Sequence, residues 1–453
     1  MKSLLLFYLA LTGICLAARP NVIFFLVDDM GYKDLGCYGS TYYETPHIDQ
    51  LAESGIKFTQ AYAACAVCSP SRHAILSGKY PARTGCTNFG MHMDTSEFTL
   101  AEAMKNNGYS TYFIGKWHLG DKQGEKPEEQ GFDVNIAGGR EGQPGSYFWP
   151  YKSTRKGKVT ETTQSKHLMQ GGNEGEYLTD RLGDEAIKLI KNHDSSNPFF
   201  MYFCFYSVHT PIQAKQEDID YFKEKLKSKS FTRPNMLKEG PKPLKQNQDS
   251  PEFAAMVKSV DDAVGKIQEQ LEVSGLAEDT IIIFTSDNGG ASYYNNATSN
   301  YPLRGAKGWY FEGGIREPTI ISWPNKMKPS VSNQKLIGTD FYPTILDLVE
   351  APLIPEQHLD GRSIKPHLLQ QKPLTKRNLY WYYPHRHGSG VRPSAAIVSG
   401  DYKLIQSLTD NSTQLYNLKQ DLSEKNDLSK SMPEKSQELL KHLSEWQQSH
   451  QLK

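Results

Sequence analysis

Five stretches of the chain place reactive side chains directly after short apolar runs. Asp28-Asp29 follows Asn21–Val27, Cys68 follows the run at 56–63, and Lys116-Trp117-His118 follows 109–114. His209 follows 198–206, and Asp287-Asn288 follows Thr280–Ser286. Asp28, Asp29, Asp287 and Asn288 offer only oxygen donors, which suit a hard cation such as calcium rather than zinc. Alone, Asp28-Asp29 reads equally well as a turn or cap. A single lysine is ordinarily solvated and a single histidine structural, so only the joint pattern carries the chemistry. Cys68-Ser69-Pro70-Ser71-Arg72 opens a segment that closes at Ser77-Gly78. Proline favours the first turn of a helix and glycine the position past its end, so Cys68 is expected at a helix N-terminus, where a nucleophile would be activated.

Cys65-Ala66-Val67-Cys68 also has the spacing of a redox or zinc pair. A structural zinc site wants a second Cys or His pair, and Cys86 and Cys204 stand isolated. A redox pair belongs in a small thioredoxin-like unit, which this long chain does not resemble.

The elements that must position these groups alternate. The five apolar runs read as strands, several too apolar on both faces for a half-exposed sheet. Helical patterns lie between them at 99–107, stopped by Gly108, at 176–192, and at 252–274, stopped by Gly275. Such alternation predicts an α/β fold with a large, mostly parallel sheet flanked by helices. Ligands in such sheets collect beyond the carboxyl ends of the strands, where the reactive residues stand. From about Gln370 the texture changes to short strands at Leu379–Tyr383, 395–398, 402–405 and 414–417 and a helix at 434–448, predicting a smaller α+β unit. The expected division is an export signal at 1–18, a catalytic domain at 19–369 and a C-terminal subdomain at 370–453. The stretch 215–248 mixes Lys, Glu and Pro and reads as a solvated insertion.

The 453 residues carry 51 basic and 51 acidic side chains, so no overall field exists to gather nucleic acid or an anionic membrane. With 38% hydrophobic and 11% aromatic residues the chain is globular. It exceeds the roughly 250–300 residues at which single cores stop growing. Met1-Lys2, an apolar run at 4–16 and Ala17-Ala18 fit a secretory signal, too short to span a bilayer. Thr12-Gly13-Ile14 is a poor context for lipidation of Cys15. No other stretch is apolar and long enough for a transmembrane segment, so the mature protein is expected to be exported, periplasmic or secreted. Five cysteines then remain, an odd number for an oxidising compartment.

The run Cys68-Ser69-Pro70-Ser71-Arg72-His73-Ala74-Ile75-Leu76-Ser77-Gly78 resembles the signature of type I sulfatases, arylsulfatase-like members of the alkaline phosphatase superfamily. Gly108-Tyr109-Ser110-Thr111-Tyr112-Phe113-Ile114-Gly115-Lys116-Trp117-His118 resembles that family's second signature. Asp28-Asp29, Ser207-Val208-His209-Thr210-Pro211, Asp287-Asn288-Gly289 and Leu303-Arg304-Gly305-Ala306-Lys307-Gly308 match further family positions, and Leu415-Tyr416-Asn417-Leu418 resembles its C-terminal subdomain. The likeness runs from about Pro20 to Trp446. Ser77 departs from the threonine the signature often has.

The resemblance implies that Cys68 is converted to formylglycine by a formylglycine-generating enzyme, and that its hydrate attacks the sulfur of a sulfate ester. It implies a Ca²⁺ ion, with Mg²⁺ second, held by Asp28, Asp29, Asp287, Asn288 and the modified Cys68. Asp287 is then the base for the attacking hydroxyl, Arg72 its anchor, and His118 the group that orients and deprotonates the second hydroxyl. Lys116, Lys307 and His209 cage the sulfate, with His209 the acid for the leaving oxygen, shared with Lys307. Conversion of Cys68 leaves Cys37, Cys65, Cys86 and Cys204, an even number whose pairing is permitted and not legible.

The stretch 380–390 clusters aromatic and polar side chains that could hold a glycan, His385 and His387 foremost, with Arg304 as a third candidate. Its Tyr and Trp fit strand core equally well. Asn296 and Asn411 stand in Asn-X-Thr sequons. The leading expectation is an exported sulfatase acting on a sulfated carbohydrate of galactose or N-acetylgalactosamine type. Alternatives are a phosphonate or phosphodiester hydrolase on the same scaffold and a catalytically silent glycan-binding protein.

Overall fold

The computed structural model describes residues 19–452 apart from 156, 169, 240–241, 295–296 and 391. The expected signal and the sequon residue Asn296 lie outside the described residues. In chain order the strands begin with β1 (Asn21–Val27), β2 (Ile56–Tyr62), β3 (Ser110–Gly115), β4 (Val134–Ile136) and the hairpin β5 (Ser153–Arg155) and β6 (Lys158–Thr160). Then come β7 (Phe199–Cys204), the hairpin β8 (Met236–Glu239) and β9 (Lys242–Lys245), β10 (Thr280–Ser286), β11 (Arg316–Ser322) and β12 (Ser330–Ile337). The last four are β13 (Leu379–Tyr383), β14 (Ser394–Ser399), β15 (Tyr402–Ser407) and β16 (Thr413–Asn417).

Among the described residues eight strands form one sheet in the order β12-β2-β11-β10-β1-β7-β3-β4. Only β11 runs antiparallel to its neighbours. Every residue of β1, β7 and β10 is buried. Strand side chains alternate between faces, so β1 feeds two cores at once. Ile23, Phe25 and Val27 pack in one layer with Val257, Val260 and Val264 of the helix Pro251–Val273 and with Leu178 and Leu182 of the helix Leu178–Lys191. Val22, Phe24 and Leu26 pack in the other with Ile75 and Leu76, with Leu100 and Met104 of the helix Leu100–Asn106, and with Phe341 and Ile345 of the helix Phe341–Leu348.

Strands β13–β16 form a separate antiparallel sheet, covered by Leu439, Leu443 and Trp446 of the helix Pro433–Ser449. This unit shares a core with Ala64, Cys65 and Val67, just before Cys68, and the Trp381 indole N–H donates to the Ala63 carbonyl at 2.8 Å. It therefore packs against the segment that introduces the reactive cysteine. Among the described residues no helix is long and apolar enough to cross a membrane.

The stretch 215–248 differs from the expectation of a solvated insertion. It contains the helix Gln216–Leu226, which buries Ile219 and Phe222 on the main core, and the hairpin β8–β9, which buries Leu244. Most lysines and glutamates of this stretch lie on the outer faces of both elements, while Lys245 is buried beside Asp249, and their density obscures the spacing in sequence.

Candidate active site

Cys68 is the first residue of the helix Cys68–Ser77, which ends at Gly78 in the left-handed conformation (φ +68°). The residue is 2% exposed. Around it converge the ends of four strands. Asp28 and Asp29 leave β1, Lys116 and His118 leave β3, Asp287 and Asn288 leave β10, and His209 lies beyond β7. Asp29 (φ +59°) and His118 (φ +58°) hold left-handed backbone conformations, which L-residues with a side chain rarely adopt. Such strained positions gather at functional sites. Gly115 closes the gap between β3 and β7, because a Cβ there would lie 1.9 Å from the Cys204 carbonyl oxygen.

Cations and carboxylates interleave. Lys116 Nζ, wholly buried, lies 2.6 Å from Asp28 Oδ2. Lys307 Nζ lies 2.7 Å from Asp29 Oδ1. Arg72 donates to Asp287 Oδ2 through Nε (2.9 Å) and to the Lys116 carbonyl through Nη1 (2.8 Å). Asn288 Nδ2 donates to Asp29 Oδ1 at 2.7 Å, and His209 Nε2 lies 3.5 Å from Asp29 Oδ2.

Burial drives the Asp28 carboxyl up to about 8 against the pull of Lys116. Burial opposes the Asp29 anion as well, but Lys307 and His209 outweigh it and hold that carboxyl below the usual range. Burial, with Lys307 and Lys116 against Asp29, pushes the His209 imidazole down to about 3. Burial, Lys116 and Arg72 hold His118 neutral.

Ligand atoms of Asp28, Asp29, Cys68 and His209 all lie within 4.8 Å of one another. Asp28 Oδ1 and Asn288 Oδ1 are buried and accept no hydrogen bond. Such orphaned oxygens are costly unless something coordinates them, so the residues present fit a hard divalent cation.

Burial pushes the Cys68 thiol up to about 11, against the pull of Lys116 and Lys307. Cys65 Sγ lies 3.9 Å from the Tyr310 hydroxyl and joins no metal-ligand cluster among the described residues. Cys37, Cys65, Cys68, Cys86 and Cys204 are all unpaired.

The Sulfatase family profile matches residues 20–351. The chain belongs to the sulfatase family. A second profile, N-sulphoglucosamine sulphohydrolase, C-terminal, matches residues 305–451. A sulfatase of Formosa agariphila is 31% identical, covering 90% of this chain and 84% of its own length. The N-acetylgalactosamine-6-sulfatase of Homo sapiens is 31% identical over 80% of this chain and 68% of its own. The solved structure of Ps i-CgsB in complex with k-i-k-neocarrahexaose superimposes with a TM-score of 0.78 at 31% identity, covering 94% of this chain and 92% of that one. The protein is thus a sulfuric ester hydrolase of the alkaline phosphatase superfamily.

In this sulfatase the rim of the site comes from loops. His387 packs on Gly308, where a Cβ would stand 2.5 Å from its Nδ1, and burial holds its imidazole down to about 4. His385 Nε2 lies 3.0 Å from Thr87 Oγ1, and the Tyr383 hydroxyl donates to Asn88 Oδ1. Arg304 departs from its expected role at the substrate. Its guanidinium contacts Glu239, the Tyr416 hydroxyl and the Glu424 carbonyl and lies 4.0 Å over the Phe311 ring, so it clasps the small sheet to the main domain.

Three rim residues escaped the sequence reading of this sulfatase. Phe89 is 56% exposed and stands edge-on to His387. Its Gly90 neighbour donates an N–H to Ser69 Oγ, beside Cys68. Tyr293, with the Lys242 ammonium 5.3 Å from its ring centroid, follows Gly290, whose carbonyl accepts the Lys307 N–H. An aromatic followed by glycine in a polar loop was the one available signal for Phe89, and nothing local marks the other two.

Proposed function

We propose that this protein is an exported sulfatase that removes a sulfate ester from a carbohydrate of galactose or N-acetylgalactosamine type, working with a formylglycine made from Cys68 and with calcium. The observation that carries it is the convergence of Arg72, Lys116, Lys307, His118 and His209 with the carboxylates of Asp28, Asp29 and Asp287 around position 68. The sugar class rests on likeness to the N-acetylgalactosamine-6-sulfatase and to the protein solved with a neocarrahexaose.

Asp28, Asp29, Asp287, Asn288 and position 68 would hold the cation, which when bound adds positive charge at the sulfate oxygens. A formylglycine at position 68 would supply, as its hydrate, an oxygen nucleophile and a second hydroxyl. Lys116 and Lys307 face the developing negative charge from a buried, preorganised position. Arg72, fixed by Asp287 and the Lys116 carbonyl, anchors the nucleophile, and Asp287 receives its proton. His118, neutral and with Nδ1 unpartnered, fits a base for the second hydroxyl. Lys307, kept protonated by Asp29 against burial, shares protonation of the leaving oxygen with His209. Burial and the neighbouring lysines hold the His209 imidazole down, and an anionic ester beside it acts in the opposite direction.

The test is mass spectrometry of the tryptic peptide Phe58–Arg72 after reduction and alkylation, from protein produced with a formylglycine-generating enzyme. One alkylated cysteine at 65 and an aldehyde at 68 is the expected result. Two alkylated cysteines beside an active converting enzyme would overturn the mechanism. Faster release from an aryl phosphate diester than from an aryl sulfate would favour the phosphodiesterase alternative.

A further inference from the structure

The hairpin β8–β9 is tied to the residues that build the site. Glu239 on β8 pairs with Arg304, three residues before Lys307 (2.5 Å). The Lys245 N–H donates to the Ser292 carbonyl at 2.8 Å, and the Lys307 N–H donates to the Gly290 carbonyl at 3.2 Å. Residues 290–293 therefore join the hairpin to the loop of the catalytic lysine. On this wall the Lys242 ammonium lies 5.3 Å from the ring centroid of Tyr293, within cation–π range.

Lys242 is exposed and makes no ion pair among the described residues. Its neighbours place it at the mouth. Tyr293 is half-buried, and the charges that act on its phenol include Lys307, Asp29 and Cys68. After burial and Lys307, Lys242 helps depress the His387 imidazole. An ammonium steadied by an aromatic face and without a carboxylate partner is a point charge held for an incoming anion. On a sulfated saccharide the available anions are sulfates, and an ammonium meets one as a point charge.

We propose that Lys242 and Tyr293 form a second anion subsite at the mouth of the catalytic pocket, selecting saccharides that carry another sulfate beside the ester being cleaved. This rests on the sulfated-saccharide reading above.

Competition against 4-nitrophenyl sulfate turnover by the matured enzyme measures inhibition constants for N-acetylgalactosamine 6-sulfate and its 4,6-disulfate. Calorimetric titration of calcium-loaded Cys68→Ser protein gives the same ratio without turnover. The disulfate is expected to bind about tenfold more tightly at low salt, as for one charged hydrogen bond. The preference should shrink as salt is raised. Lys242→Gln should abolish it and Lys242→Arg should retain it. Equal constants in the wild type, or a preference that survives Lys242→Gln, overturns the subsite. A Lys242-dependent preference with no sulfate released from either sugar supports the subsite and overturns the proposed substrate class instead.

Discussion

Lys307 Nζ and Asp29 Oδ1 lie 2.7 Å apart although 278 residues separate them in the chain. The pair stores a cation beside position 68 in a site where burial alone would discharge it. Lys307→Ala is expected to lower kcat/KM on an aryl sulfate by about 10²–10³, the scale of losing one preorganised stabiliser of transition-state charge. Steady-state kinetics checks this, and a loss of less than about fivefold would remove Lys307 from the mechanism.

Asp28, Asp29 and Asp287 bring three carboxylates into one buried cluster, and orphaned oxygens remain on Asp28 and Asn288. Exhaustive chelation is therefore expected to stop turnover and lower Tm. Restored Ca²⁺ at about 100 times its Kd should return about 2.7 kcal/mol of stability. Scanning calorimetry and activity before and after readdition decide the point, and an unchanged Tm together with full activity in chelator would contradict a resident cation.

The small sheet reaches the site through Lys403. Its Nζ lies 2.9 Å from Glu312 Oε1 and 2.8 Å from Glu424 Oε1, with all three side chains out of solvent. Glu312 stands five residues after Lys307, so this triad fixes the far end of the lysine loop. Lys403→Met should cost about 3–5 kcal/mol, because it leaves the buried Glu424 carboxyl without a cation while Arg316 still pairs with Glu312. Urea unfolding measures the loss, and adding Glu424→Gln should recover part of it.

His73 lies inside the helix of Cys68, 1% exposed, with Nδ1 3.2 Å from Ser77 Oγ and Nε2 unpartnered. Burial, against the pull of Glu97, holds its imidazole down to about 4, so it is neutral when folded. The unfolded chain takes up the proton near 6.5, and so binds more protons than the folded one between 6.5 and 4. The stability this neutral group contributes is fully present above 6.5 and is lost as pH falls towards 4. Urea midpoints from pH 7 to 4.5 should decline, and less steeply in His73→Gln. Parallel curves would assign the acid sensitivity to other groups.

The strands that carry the chemistry were legible because a two-sided buried strand must be apolar along its whole length. Asn21–Val27 and Thr280–Ser286 appear in the fold with the bounds read from sequence, and Phe199–Cys204 lies within the run expected there. The antiparallel β11 between β10 and β2, and the edge strands β4 and β12, were not foreseen. Strand order depends on pairing between distant segments, which residue type does not record. Arg304 illustrates the limit for single side chains. Its neighbourhood in sequence pointed to substrate, but Glu239 and Glu424, 65 and 120 residues away, take up its guanidinium.

The sequence by itself determined the chemical cast: the cysteine signature, the oxygen donors after β1 and β10, and the lysines and histidines that face an anion. These are properties of residue type at strand ends, where backbone direction alone brings side chains to one edge of the sheet. Tertiary structure alone decided which charges pair, which thiols stay apart, and how burial sets each group's protonation. It also brought Lys242, Tyr293 and Phe89 to the rim. Those outcomes depend on distances between loops and on the exclusion of water from the assembled site, quantities that exist only once the chain has folded.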